Sequence, residues 1–163
     1  MKARVRATRK SAVSEPHAVI VQDAALEPCA LLAGALEAAG FWPQLAAVRR
    51  AAKIPAAQLR IVILPDLDFF TAAAPTFTEP ALVEHLIDLL HARKFTSVSP
   101  GSAPNQWTRW LENREVPALA DLAGYRYRTS GGHDYEVLDF GAETDPAGFP
   151  PASVLQGTEL SRA

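Results

Sequence analysis

Cysteine is almost missing from this chain: Cys29 is the only one in 163 residues. One thiol excludes an intrachain disulfide framework, a four-cysteine iron–sulfur site and an all-cysteine zinc site. Long apolar runs are missing too. None approaches the ~20 residues that a membrane span requires, so no membrane span is expected. A strong net charge is also lacking, with 16 basic and 18 acidic residues giving −2. No lysine-rich groove is visible, which argues against sequence-specific reading of nucleic acid. No internal repeat is visible. What remains is 48% hydrophobic and 21% charged, the composition of one soluble globular domain able to bury roughly two-thirds of its unfolded surface.

Charge is unevenly placed. Lys2, Arg4, Arg6, Arg9 and Lys10 put five positive charges in the first ten residues, leaving 11 basic against 18 acidic groups in the rest. The arm over 1–16 therefore reads as a flexible, solvated basic segment. It has no apolar stretch behind it of the secretory kind, which points to the cytoplasm. An α/β domain follows over 17–140, and the Gly/Pro-rich stretch 141–163 reads as irregular.

Within 17–140 strands alternate with helices. His17–Gln22 is a short β-branched strand. Pro28 suits the first turn of a helix that Gly40 ends, and Pro43 opens another through Lys53, with Leu45 and Val48 inward. Leu59–Leu64 is a continuous apolar run of the kind that an interior, doubly covered parallel strand produces. Thr78 is placed as the N-cap of a helix burying Leu82, Val83, Leu86, Ile87, Leu89 and Leu90, with Glu84, His85, Asp88 and His91 on its wet face. Phe95–Ser99 is a strand stopped by Pro100-Gly101. Helices over 104–112 and 117–123 follow. Tyr125–Thr129 and Tyr135–Asp139 alternate like two strands of a hairpin around Ser130-Gly131-Gly132-His133. The expected fold is α/β: a mainly parallel sheet flanked by helices, with a late antiparallel hairpin.

In open α/β sheets ligands collect beyond the carboxyl ends of the strands. Asp66 and Asp68 follow the strongest strand signal, and paired carboxylates are hard oxygen ligands suited to Mg²⁺ and a substrate phosphate. The simpler account is two solvated loop carboxylates. The loop around Gly101 and Ser102 leaves a strand toward a helix start, a geometry that receives small anions, as does the helix start at Thr78. Asp66, Asp68, Thr78, Gly101 and Ser102 are thus the candidate ligand-binding residues, and Asp66 and Asp68 the candidate metal ligands. His85, Asp88 and His91 share part of one helix face, which reads most simply as solvated. His133 can act in acid–base work, although a turn histidine in water is the plainer reading. Arg126 and Arg128 share a strand face that can meet an anionic ligand.

Ile61-Val-Ile-Leu-Pro-Asp-Leu-Asp68, Thr76-Phe-Thr-Glu-Pro80 with the apolar helix behind it, and Trp110-Leu-Glu-Asn-Arg114 leading to Leu122-Ala-Gly-Tyr125 together carry a resemblance. From Leu59 onward the chain resembles the bacterial and archaeal domain-of-unknown-function family 362. The resemblance implies an α/β fold. It also implies, for some members, redox chemistry through an attached ferredoxin-type module; with one cysteine here, any iron–sulfur cluster would belong to a partner protein. Two positions depart from the family pattern: Leu64 stands where a lysine is common, and Ser102 where an acidic residue is common. The family is also longer, so the chain reads as a partial member, cut off mid-domain after Ala163. Three functions follow as expectations: a ligand-binding or catalytic domain centred near Asp66 and Asp68, a partner-binding or degenerate domain, and a Mg²⁺-dependent phosphate-handling enzyme.

Overall fold

The computed structural model describes residues 25–67, 77–103 and 115–140. The expected strand 17–22, the helix 104–112, the basic arm, the segment 141–163 and Asp68 lie outside them. Four helices and three strands are described: α1 (Pro28–Ala38), α2 (Phe41–Ala52), β1 (Ile61–Ile63), α3 (Pro80–Ala92), β2 (Val98–Ser102), α4 (Val116–Ala123) and β3 (Leu138–Asp139). Pro28, Pro80 and Pro117 sit in the first turns of their helices, where a missing N–H costs nothing. Gly40 takes φ 65°, the left-handed geometry that lets the chain leave α1 and enter α2 at once. The opening residue of α2 is Phe41 rather than Pro43. Val48, expected inside, is 57% exposed, because α2 covers the core only through Phe41, Trp42 and Leu45. No single helix among the described residues is long and apolar enough to cross a membrane.

The described sheet has the order β1-β2-β3, and both pairings are parallel. Two expectations about strands require correction. The run 59–64 yields a strand of only three residues, each half-buried, at the edge of the described sheet; Leu64 is 72% exposed. Among the described strands the central one is β2, which begins three residues later than expected and runs through Pro100-Gly101 instead of stopping there. It pairs with β1 through Val98–Pro100 and with β3 through Gly101–Ser102. The partner thus changes at the proline, the residue with no N–H to contribute.

The late antiparallel hairpin is not formed. β3 joins the sheet as a parallel strand, and of the expected hairpin only one antiparallel bridge, Arg128 to Asp134, remains. Tyr127 takes φ 58°, so the backbone bends within what alternation suggested was a straight strand, and Gly132 takes φ 85° in the connection that follows. Two hydrogen bonds, Thr129 N–H to His133 O at 2.9 Å and Tyr135 N–H to Tyr127 O at 3.1 Å, close it into a compact turn. The alternating pattern is real, but Tyr125, Thr129 and Tyr135 are buried by being laid against α3, not by a sheet face.

That contact defines the core. Val83, Ile87 and Leu90 of α3 pack with Phe95, Val98, Val116, Ala120, Tyr125, Tyr135 and Val137. α3 is therefore covered on two sides. Glu84, expected on the wet face, is only 2% exposed. A carboxylate so placed must be paired, since burying an isolated charge is prohibitively costly.

Candidate functional site

Glu84, Asp88 and His91 recur at the i, i+4, i+7 spacing that aligns side chains along one helix face. The turn 125–135 lies over that row. Glu84 accepts a hydrogen bond from the Tyr135 hydroxyl at 2.8 Å and pairs with the Arg126 guanidinium. The Arg126 side chain is itself 60% exposed. The Tyr135 hydroxyl in turn accepts from the Arg126 backbone N–H at 3.2 Å. Burial pushes the Glu84 carboxyl pKa up, but Arg126 and Tyr135 outweigh it and hold the group below its ordinary 4.5. The same bond, after burial, pushes the Tyr135 phenol up to about 12.

One turn further along α3, Asp88 is held from three directions. The Thr129 hydroxyl donates to Oδ1 at 2.5 Å, the Gly131 N–H donates to Oδ2 at 3.0 Å, and His133 Nδ1 lies 2.8 Å from Oδ1. Thr129 Oγ1 also accepts from the His133 N–H at 3.1 Å, which ties the histidine backbone to the same carboxylate. Burial raises the Asp88 pKa, and these donors more than offset it, so the carboxyl sits below 3.8. An ionised carboxylate only accepts, so Nδ1 carries the proton and Nε2 the lone pair of the neutral ring. The His133 side chain is 36% exposed. The His91 ring lies 4.0 Å from the His133 ring, centroid to centroid, tilted by 41°.

Gly131 makes this arrangement possible. A Cβ there would lie 2.5 Å from Asp88 Oδ1 and 2.8 Å from its Cγ, so only glycine lets the backbone approach the carboxylate this closely.

Of the residues expected to form the site, Asp66, Thr78, Gly101 and Ser102 are described, and they lie apart from this cluster. Asp66 is exposed just past β1. Thr78 is not the cap of α3, whose N-cap is Glu79. Its hydroxyl instead accepts from the Asp66 N–H at 2.8 Å, while its own N–H donates to Asp66 O at 2.9 Å. These two bonds clamp the segment after β1 to the start of α3, which employs Thr78 in holding the chain. Gly101 is buried inside β2, with Phe140 and Leu138 filling the space where a Cβ would sit. Ser102 ends β2, its hydroxyl facing its neighbour's carbonyl, Ala103 O, at 3.4 Å. Asp66 thus meets Thr78 through its own backbone, and Gly101 serves packing between strands. Among the described residues no three His, Cys, Asp or Glu side chains gather where one metal ion could be held.

The pairing of Asp88 with His133 was beyond reach of the sequence, because 45 residues separate them. Each was visible alone: Asp88 on a polar helix stripe, His133 after two glycines. No protein-family model, curated protein or solved structure matches this chain, and the resemblance to domain-of-unknown-function family 362 rests on its sequence motifs alone.

Proposed function

We propose that this α/β domain binds a small anionic substrate beside the turn 125–135 and uses His133 as a general base. The observation that carries this reading is the Asp88–His133 contact: an imidazole whose Nδ1 is fixed on a carboxylate that two further donors hold in place. A base oriented by a third group is what proton abstraction from water or a substrate hydroxyl requires. Nε2 is then the atom that accepts the proton, and Asp88 stabilises the imidazolium that results. Arg126 and Arg128 lie on the same turn with side chains 60% and 65% exposed. Arg126 is committed to the buried Glu84, whereas Arg128 is paired at 3.4 Å only with the exposed Asp134 and can exchange that partner for an anionic substrate.

The test is a panel of carboxylic and phosphoric esters assayed with the wild-type chain, His133→Gln and Asp88→Asn. Turnover in the wild type should drop about 10²-fold or more in His133→Gln, with an unchanged far-UV spectrum. Full activity in His133→Gln, or a wild type inert on every ester, overturns the reading.

A second reading places a ligand at the carboxyl edge of the sheet, near Asp66, Asp68 and Ser102, where a divalent cation such as Mg²⁺ would bridge a phosphate. It is favoured by two carboxylates past the carboxyl ends of parallel strands, Asp66 after β1 and Asp139 at the end of β3, the edge of an α/β sheet where ligands collect. The N-terminus of α4 is not free there, because the Val116 N–H donates to Asp139 Oδ2 at 3.4 Å. Under it, Mg²⁺ or Mn²⁺ at a hundred times its Kd adds about 2.7 kcal/mol of stability, and Asp66→Asn removes the gain. A thermal midpoint unmoved by millimolar metal rejects it.

A further inference from the structure

β1 has a partner strand on one side only among the described residues. The Ile61 N–H donates to Ser97 O at 2.9 Å, and Ile61 and Ile63 lie opposite Val98 and Pro100. Backbone polar groups point alternately to the two sides of a strand, so the N–H and C=O of Val62 point away from β2. We propose that this outer edge of β1 receives the chain's own segment His17-Ala-Val-Ile-Val-Gln22 as a fourth, parallel strand. The segment lies outside the described residues; its place follows from how α1 sits beside α3.

The two helices run side by side in the same direction. Cys29 Sγ, in the first turn of α1, lies 3.8 Å from Ala81 O in the first turn of α3. At the other end Glu37 of α1 pairs at 2.9 Å with Arg93, just past α3. Because α3 joins the parallel strands β1 and β2, it returns antiparallel to both, and α1 does the same. Five residues, 23–27, separate Gln22 from Pro28, an ordinary length for a strand-to-helix link. A strand entering α1 through so short a reversal runs in the direction of β1.

Handedness then selects the edge. Crossovers between parallel strands of one sheet are right-handed in about 98% of cases. The unit β1–α3–β2 carries its helix on one face and advances from β1 toward β2. α1 lies on that same face beside α3, and so does α2, whose Trp42 ring lies 3.7 Å from the Arg93 guanidinium. A right-handed unit built on these helices advances in the same sense, which sets its first strand outside β1; beyond β3 it would be left-handed. Val19, Ile20 and Val21 are β-branched, as strands favour. Leu64, 72% exposed, continues an apolar edge of the kind that invites other chains when left unpaired. A second copy competes poorly there, because a five-residue link holds 17–22 at an effective concentration on the order of millimolar.

NMR on the full chain tests this without a substrate, so the result is independent of catalysis at His133. The Val62 amide should be protected from exchange and should show NOEs to residues 18–22 in the parallel pattern. Successive residues face opposite edges, so the double variant Val19→Pro with Ile20→Pro must delete a donor facing β1. In it, protection at Val62 should fall at least about fivefold, the worth of one backbone hydrogen bond. Protection at Ile63, whose N–H faces β2, should hold. Should the double variant not fold, the wild-type NOEs decide. An unprotected Val62 amide, or Val62 NOEs that are absent, antiparallel or made to another segment, overturns the proposal. Protection that rises with chain concentration and survives the proline pair overturns it too, and makes a second copy the occupant.

Discussion

Glu84→Ala should lower stability by about 2–4 kcal/mol, read as a shift in the urea midpoint at constant slope. The cost arises on the partner's side. Tyr135 is 8% exposed and its hydroxyl donates to Glu84 at 2.8 Å; without the carboxylate that buried donor has no acceptor, which costs about 1–3 kcal/mol. The cavity left on α3 adds to it. Arg126 contributes little, because its guanidinium returns to water when the pair is broken. Glu84→Gln keeps an acceptor for the phenol and should lose less than half as much. In Glu84→Met with Tyr135→Phe the donor and acceptor disappear together, so the double variant should recover part of the loss despite the acceptor taken from the Arg126 N–H. Equal destabilisation by the Ala and Gln variants would show that packing, not the hydrogen bond, makes Glu84 matter. The wild-type advantage is present at neutral pH and disappears as pH falls below 4.5, because the folded Glu84 pKa is held under that value and the unfolded carboxyl takes its proton first.

Gly101→Val should cost about 3 kcal/mol or more, and Gly101→Ala about 1–3 kcal/mol. The first added carbon would lie 2.7 Å from Phe140 Cζ and 3.0 Å from Leu138 Cβ. The ring can swing aside, but Leu138 belongs to β3, the strand paired with Gly101, and its backbone oxygen stands 3.1 Å from the same point. Relief therefore requires moving a strand, and interiors packed at crystal density resist that. Gly34 supplies the opposite control: nothing lies within 4 Å of a Cβ there, and it sits within α1, where alanine is the better helix former. Gly34→Ala should gain about 0.5–1 kcal/mol. Thermal midpoints separate the two cases. A chain of this size moves by about 2–4 °C per kcal/mol, downward for Gly101 variants and upward for Gly34→Ala. A neutral Gly101→Ala would mean that β3 is not held against β2 as described.

These two positions also show how far a linear reading reaches. Gly101 was legible as a residue of consequence beside a proline, and the glycine-after-strand pattern suggested an anion loop. The structure gives it a steric role inside the central strand, since Phe140 and Leu138 come to it from 37 and more residues away in the chain. Glu84 was legible as part of a polar stripe on α3. Polarity of that kind normally means solvent, and nothing local distinguishes a stripe that meets water from one that meets a tyrosine and an arginine. Thr78 shows the same limit at a smaller scale. A threonine before Glu-Pro has the composition of a cap, yet its hydroxyl is taken by the Asp66 N–H, a group twelve residues upstream.

The residue order by itself settled the positions of α1, α3 and α4, the left-handed exit at Gly40, and the α/β class. Each depends on spacings within about a dozen residues, where helical period, proline at a first turn and glycine at a last one act locally. Which strand is central, whether the segment after α4 becomes a hairpin or a turn, and which acids are paired were decided only when distant segments packed together. Asp88 and His133, 45 residues apart, acquire a joint chemistry only because the turn 125–135 covers the polar row of α3 while its tyrosines join the core beside it. The turn that supplies this cover brings an imidazole with it.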